Sequence, residues 1–115
     1  MEAVYILGAA RTPMGAMQGV LSSASASSLG GAAIAAAVAE SLVPVAHIDE
    51  LLMGCVLPAG QGQAPARQAG FSAGLGEDVP ATTINKMCGS GMKAAMMGFD
   101  QLALGASHMM VVGGM

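Results

Sequence analysis

Aromatic residues are nearly missing from this chain: there is no Trp, and Tyr5, Phe71 and Phe99 are the whole set. A core must therefore come from Ala, Val, Ile, Leu and Met, with Gly wherever two backbones come close. Charge is scarce too, at 10% of residues against 54% hydrophobic, which excludes the composition of a disordered chain. The four basic residues, Arg11, Arg67, Lys86 and Lys93, form no run and leave a net charge of −3. A nucleic-acid binder needs a basic stripe, so that class is excluded. An anionic ligand would have to meet backbone amides, or residues outside this chain. No uninterrupted apolar stretch reaches the ~18 residues of a membrane span, so no membrane partner is expected. No basic segment precedes the apolar run at the N-terminus, so no secretory signal is read and a cytoplasmic location is expected. Two cysteines, Cys55 and Cys88, are too few for a disulfide framework and lack metal-ligand spacing, so neither disulfide nor metal is expected. Both should be free thiols in a reducing compartment.

What is present is an alternation of short apolar runs with helical stretches. That pattern predicts βαβ units, an α/β fold and a mixed, mostly parallel sheet between helices. At 115 residues it makes one domain, spanning 1–115. The first strand is expected over Ala3–Ala9, followed by a loop through the Ser/Ala-rich segment Ser22–Ser28. A helix should run from Leu29 to Leu42, capped by Ser27 or Ser28. Ile34, Val38 and Leu42 recur at i+4 and should face the sheet, with Pro44 ending the helix. A strand over Leu51–Val56 is apolar enough for burial on both faces. Pro58–Gln63 is a loop. A helix from Ala64 to Leu75 follows, with Pro65 in its first turn and Gly76 after it. A third strand spans Ala81–Lys86. A helix spans Gly89–Leu104, with Met92, Ala95, Met96, Phe99, Leu102 and Ala103 on one face and Gly105 at its end. A fourth strand is expected over His108–Val112. The chain then stops straight after an apolar run, which reads as a truncated half-domain.

The segment Ile84-Asn85-Lys86-Met87-Cys88-Gly89-Ser90-Gly91-Met92-Lys93 carries the chemistry. A strand ends, the chain turns sharply at Cys88, and a helix begins, in the manner of a nucleophile elbow. Gly89 and Gly91 are expected to free the turn and keep side chains off the thiol. The positive end of the helix favours the thiolate, and unpaired amides there can receive an oxyanion. The same setting also suits a buried structural cysteine at a tight turn, and the local residues leave both readings open.

Asn85-Lys86-Met87-Cys88-Gly89-Ser90-Gly91-Met92-Lys93-Ala94 resembles the acyl-enzyme signature of the thiolases. Further stretches resemble the same family, in order. Ala9 to Gly15 resembles its first strand and turn, and Ile48 to Gly54 its second strand. Val56 to Ala69 resembles a loop and helix of its acetyl-CoA acetyltransferase branch, and Val111 to Met115 the strand before its large loop domain. The resemblance implies an N-terminal thiolase half-domain, incomplete, with the loop domain and C-terminal half absent. It implies an acyltransferase in which Cys88 takes an acyl group from an acyl-CoA as a thioester. A second acetyl-CoA, as a carbanion, then attacks it, and thiolysis is the reverse. Coenzyme A thioesters are substrates, no separate cofactor is implied, and the enzyme is expected to be a homo-oligomer, a dimer or tetramer. The family's activating His, second Cys and Asn–water pair have no counterpart here, so the chain alone is expected to be inactive.

The remaining candidates read as structural. His47 and His108 lack the Gly-His-Pro setting of the family's catalytic His and are expected at the surface. Cys55 sits inside an apolar run and is expected in the core. Gly60-Gln61-Gly62 lacks the third glycine of a dinucleotide fingerprint. Met92, Met96 and Met97 are expected to serve packing, and Arg11 and Arg67 to anchor loops through carbonyls. No residue is assigned to substrate binding. Two rivals remain: a ketoacyl-synthase-like condensing protein, and a non-catalytic, self-associating fragment.

Overall fold

The computed structural model describes every residue from Met1 to Met115. Helix α1 is Ala26–Ser41, and a 3-10 turn at Val45–His47 leads into strand β1, Glu50–Gly54. Helix α2 (Pro65–Ser72), strand β2 (Ala81–Ile84), helix α3 (Ser90–Ala103) and strand β3 (Met110–Gly114) follow. The sheet is wholly parallel in the order β2-β1-β3, with Leu52 opposite both Thr82 and Val112. The connections β1–α2–β2 and β2–α3–β3 run in opposite directions across the sheet. Right-handed crossovers therefore place α2 and α3 on opposite faces.

Strand β1 is central and buried from Leu51 to Gly54, and its alternating side chains divide the molecule. Leu51 and Met53 join Ile34, Ile48, Ala66, Ala69, Leu75 and Val79 in one core on the α1–α2 side. Burying a side chain such as Leu51 contributes about 1.5–3 kcal/mol relative to exposure. Leu52 and Gly54 point the other way, toward α3. Helices α1 and α2 cross closely because a Cβ on Gly31 would strike the Ser72 side chain.

Several expectations need correction. Four strands were expected and three form, because Ala3–Ala9 pairs with no strand. That segment is tied at its ends to helices instead. The Glu2 N–H donates to the Ala103 carbonyl at 3.2 Å, and the Ala9 N–H to Glu40 Oε2 at 2.8 Å. Val4 is half-buried, but its larger apolar residues stay outside, with Tyr5 76% and Ile6 89% exposed. β-propensity marks a segment suited to a pleated surface, but only a partner edge makes it a strand. Helix α1 starts earlier than expected, on Ser25, whose Oγ accepts from the Ser28 N–H. Ser27 reaches Gln68 instead. Leu42 does not face the sheet: it caps α1 in the left-handed region (φ 60°) and is exposed. Gly113 and Gly114 lie within β3 rather than after it.

The face of α3 is also corrected. Its buried positions are Ser90, Ala94, Gly98 and Ala103, whereas Met92, Met96 and Phe99 are exposed. At Gly98 helix and sheet approach too closely for any side chain, since a Cβ there would meet Val112 Cγ1 at 2.5 Å. Leu52 is the one large side chain fully buried on this side. Periodicity reveals that a helix face is apolar; it does not say what covers it.

Candidate active site

Cys88 lies in the turn between β2 and α3, at the carboxyl edge of the sheet, where open parallel α/β sheets bind ligands. It is exposed, whereas Cys55, the other free thiol, is 1% exposed. Cys55 follows β1, its N–H donates to the Ile84 carbonyl, and its Sγ accepts from Gln61 Nε2 at 3.5 Å. It is a core residue, as its apolar run suggested.

The backbone around Cys88 is shaped by its neighbours. Met87 has φ 48°, in the left-handed region, which costs an L-residue about 1–2 kcal/mol. Gly89, expected to supply the freedom of the turn, has φ −94° and uses none of glycine's extra range. Both polar groups of Met87 are held. Its N–H donates to Asn85 Oδ1 at 2.9 Å, and its carbonyl accepts from the Ser90 O–H at 2.6 Å and the Ser90 N–H at 3.1 Å. The Ser90 Oγ also accepts from the Lys86 N–H at 2.8 Å, and this residue is only 5% exposed. Asn85 Nδ2 donates to the Val56 carbonyl at 3.2 Å, which ties the turn to the loop after β1.

The amides at the helix start are partly spent, contrary to expectation. The Gly89 N–H donates to the Lys86 carbonyl at 3.0 Å and the Ser90 N–H to that of Met87. No turn carbonyl accepts from Gly91 or Met92, the next two amides of α3. The Gly91 nitrogen is packed against the Gly54 and Gly114 backbones, which leaves the Met92 N–H as the donor for an anionic group.

Three glycines seat the start of α3 on the sheet. A Cβ on Gly54 would overlap the Ser90 carbonyl carbon and stand 2.6 Å from the Gly91 nitrogen. A Cβ on Gly114 would stand 3.0 Å from Gly91 Cα. Gly91 thus serves close packing against β3 rather than access to the thiol. Gly54 and Gly114 escaped the sequence reading, although a glycine inside a strand is a usable sign of close backbone approach. Asn85 and Ser90 stand in the motif without a role that their residue type alone announces. Asn before a turn does signal a side chain that bonds its own backbone two residues on. Nothing in the sequence announces the Ser90 hydroxyl's two bonds.

The histidines and Arg67 sit where they were expected. His47 and His108 are exposed. Arg67 Nη1 donates to the Glu77 and Val79 carbonyls at 3.1 and 2.9 Å, and its guanidinium lies 5.4 Å from the Phe71 ring centroid. Arg11 reaches only the carbonyl of Thr12. No group of three or more His, Cys, Asp or Glu side chains is arranged to hold a metal. No helix is long and apolar enough to cross a membrane. An apolar groove of about 420 Å³, lined by Ala35, Val38, Leu42, Pro44 and Ala73 among others, opens on the α1 side and contains none of the Cys88 turn.

Asp49 lies just before β1. Its Oδ2 accepts from the N–H groups of His108 and Met109 at 2.7 and 2.9 Å, and its own N–H donates to the Met109 carbonyl at 2.8 Å. It fastens the entry of β3 to that of β1. The two backbone donors, with a weaker effect of the nearby histidines, hold its carboxyl below the usual value.

Residues 4–115 match the family model of the thiolase N-terminal domain. Over 115 residues the chain is 51% identical to acetyl-CoA acetyltransferase B, mitochondrial, of Xenopus laevis, covering 100% of this chain and 27% of that protein. It is 50% identical to acetyl-CoA acetyltransferase of Yarrowia lipolytica, covering 100% of this chain and 29% of the relative. The structure of Acat5 thiolase from Ascaris suum in complex with coenzyme A superposes with a TM-score of 0.93 at 39% identity. That match covers 96% of this chain and 29% of the other. The chain thus spans little more than a quarter of the length of these proteins.

Proposed function

The chain belongs to the thiolase family through its N-terminal domain, and from that premise we propose that it is the nucleophile-bearing part of an acetyl-CoA C-acetyltransferase. The observation that carries this reading is the exposed Cys88 in a side-chain-braced turn at the carboxyl edge of the sheet. The relatives' names add support, as does the coenzyme A bound by the Ascaris suum thiolase.

The reaction follows from the position of the thiol. The Cys88 thiolate adds to the carbonyl of an acyl-CoA. The oxyanion so formed is met at the helix start, where the Met92 N–H is free of turn carbonyls. The bond to the coenzyme A sulfur breaks, that sulfur takes a proton, and the acyl group remains on Cys88. A carbanion from acetyl-CoA then forms the new carbon–carbon bond and releases the Cys88 thiolate. Proton removal needs an activating His and a second thiol. His47, His108 and Cys55 do not supply them, being at the surface or in the core. In this reading those groups belong to the loop domain and C-terminal half of the enzyme, outside these 115 residues, and the whole enzyme is a homo-oligomer.

Two measurements test it. Incubation with acetyl-CoA followed by peptide mass mapping should place an acetyl group on Cys88 and none on Cys55. Acetoacetyl-CoA cleavage by the 115-residue chain should stay below ~1 per second, under the ordinary range of enzymes. Acetylation of Cys55 alone would sink the assignment, and fast cleavage would show that the missing roles are filled locally.

A second reading is a non-catalytic fragment that associates with itself. Met92 at 74%, Met87 at 68%, Met96 at 54% and Phe99 at 48% exposure favour it, since contiguous apolar surface marks association. Light scattering behind size exclusion separates the two: a monodisperse monomer at tens of micromolar removes the second reading.

A further inference from the structure

We infer that Asn85 and Ser90 are positioning residues that hold Met87 in the left-handed region and thereby set the direction of the Cys88 thiol. The inference rests on Cys88 being the acyl acceptor proposed above. Met87 immediately precedes Cys88, so its dihedral angles decide where the next residue points. At φ 48° it occupies a conformation that an unbranched apolar L-residue does not choose unaided. Such a residue persists only where the surroundings over-determine it.

Here the surroundings are two side chains. Asn85 Oδ1 takes the Met87 N–H, and Asn85 Nδ2 is itself anchored on the Val56 carbonyl. On the far side of the turn, the Ser90 hydroxyl donates to the Met87 carbonyl while accepting from the Lys86 N–H. One buried oxygen thus closes the turn from both ends. It cannot drift, because Ser90 is packed under Gly54, where no side chain would fit. The Met87 side chain takes no part in the clamp and is 68% exposed, so the residue can be changed without disturbing either brace.

Ser90→Ala removes both hydroxyl bonds and leaves the Lys86 N–H without its acceptor. Met87 should then relax out of the left-handed region. Acyl transfer demands an aligned thiol and oxyanion donors, and misplacement on the order of 1 Å costs about tenfold to a hundredfold. Alkylation by iodoacetamide demands only an exposed thiol and should change by no more than about threefold. Adding Met87→Gly to Ser90→Ala should recover much of the lost acyl transfer, because glycine enters the left-handed region without steric cost. A role confined to stability predicts no such rescue.

The experiment uses the 115-residue chain, its Ser90→Ala and Asn85→Ala variants, and the Ser90→Ala/Met87→Gly double variant. Two quantities are read: the backbone carbon chemical shifts of residue 87, which report its φ region, and the ratio of Cys88 acetylation by acetyl-CoA to its alkylation. Displaced shifts in both single variants, with a ratio that falls in Ser90→Ala and recovers in the double variant, support the clamp. Shifts that stay left-handed in both single variants overturn it, as does a ratio that falls without rescue. If the parent chain takes no acetyl group, the functional proposal fails, and the chemical shifts still decide the clamp. Asn85 is exposed, so its variant remains informative should Ser90→Ala fail to fold.

Discussion

The two faces of the sheet are built on different rules. On the α1–α2 side, large aliphatic side chains interlock, and Leu51, Met53 and Ile34 lie at 1–3% exposure. On the α3 side, Leu52 is the one large side chain fully buried; the rest of the contact is made through Gly54, Gly91, Gly98 and Gly114, and the large residues Met92, Met96 and Phe99 of the helix are exposed. The first arrangement maximises apolar area removed from water. The second gives up area to bring the first turn of α3 down onto the strand ends, which is where Cys88 must be held. The larger apolar cluster lies on one face and the candidate chemistry on the other.

That contrast can be broken in order of expected size. Leu51→Ala should cost about 2–5 kcal/mol of unfolding free energy, as buried truncations do. Urea titration measures it, and a loss no larger than that of an exposed residue would erase the distinction between the faces. Gly54→Ala should cost about 1–3 kcal/mol by overpacking. Unlike Leu51→Ala, it should also lift the start of α3, read as lost protection of the α3 amides in hydrogen exchange.

A smaller, pH-dependent effect is expected at Asp49, which fastens β3 to β1. Its folded carboxyl sits below the ordinary value, so its stabilisation is present above the unfolded value of about 3.9. It is lost as the pH falls through the lower folded value. Asp49→Asn should therefore be less stable than the parent at pH 7, with the gap closing in strong acid. A gap independent of pH would show that charge is not what the two amides recognise. Phe99→Ala should have the smallest effect, about 1 kcal/mol or less, because the ring is already half in water. A larger loss in the isolated chain would mean that this face is covered by self-association, and the loss would then grow with protein concentration.

Much of the architecture was legible from local chemistry. Pro65 opens α2 at its first turn, and Gly105, at φ 73°, closes α3 as expected. The β-branched run Thr82-Thr83-Ile84 is a strand, and Thr83 Oγ1 also accepts from the Ala66 N–H at 2.9 Å. Apart from that bond across 17 positions, these features depend on residues close in sequence, so propensity and capping reveal them. Ala3–Ala9 shows the opposite case. Its composition is that of a strand, but pairing requires an edge within reach, and its anchors are at Ala103 and Glu40. The apolar stripe of α3 is similar: the period is real, while the covering layer is not a local property.

The sequence by itself determined the α/β class, the order of helices and strands from Ala26 onward, and the turn that carries Cys88. Each follows from spacing, caps and glycine positions within a few residues, and the resemblance to the thiolases rests on those same local strings. Only the tertiary structure decided that Cys88 is exposed rather than buried at its turn, and that Met87, not Gly89, bears the left-handed backbone. It also decided that Asp49 reaches across 60 positions to Met109. Burial, strain and long-range hydrogen bonds are settled by which surfaces meet. That depends on crossover handedness and on how closely glycine lets backbones approach, neither of which one segment can state alone.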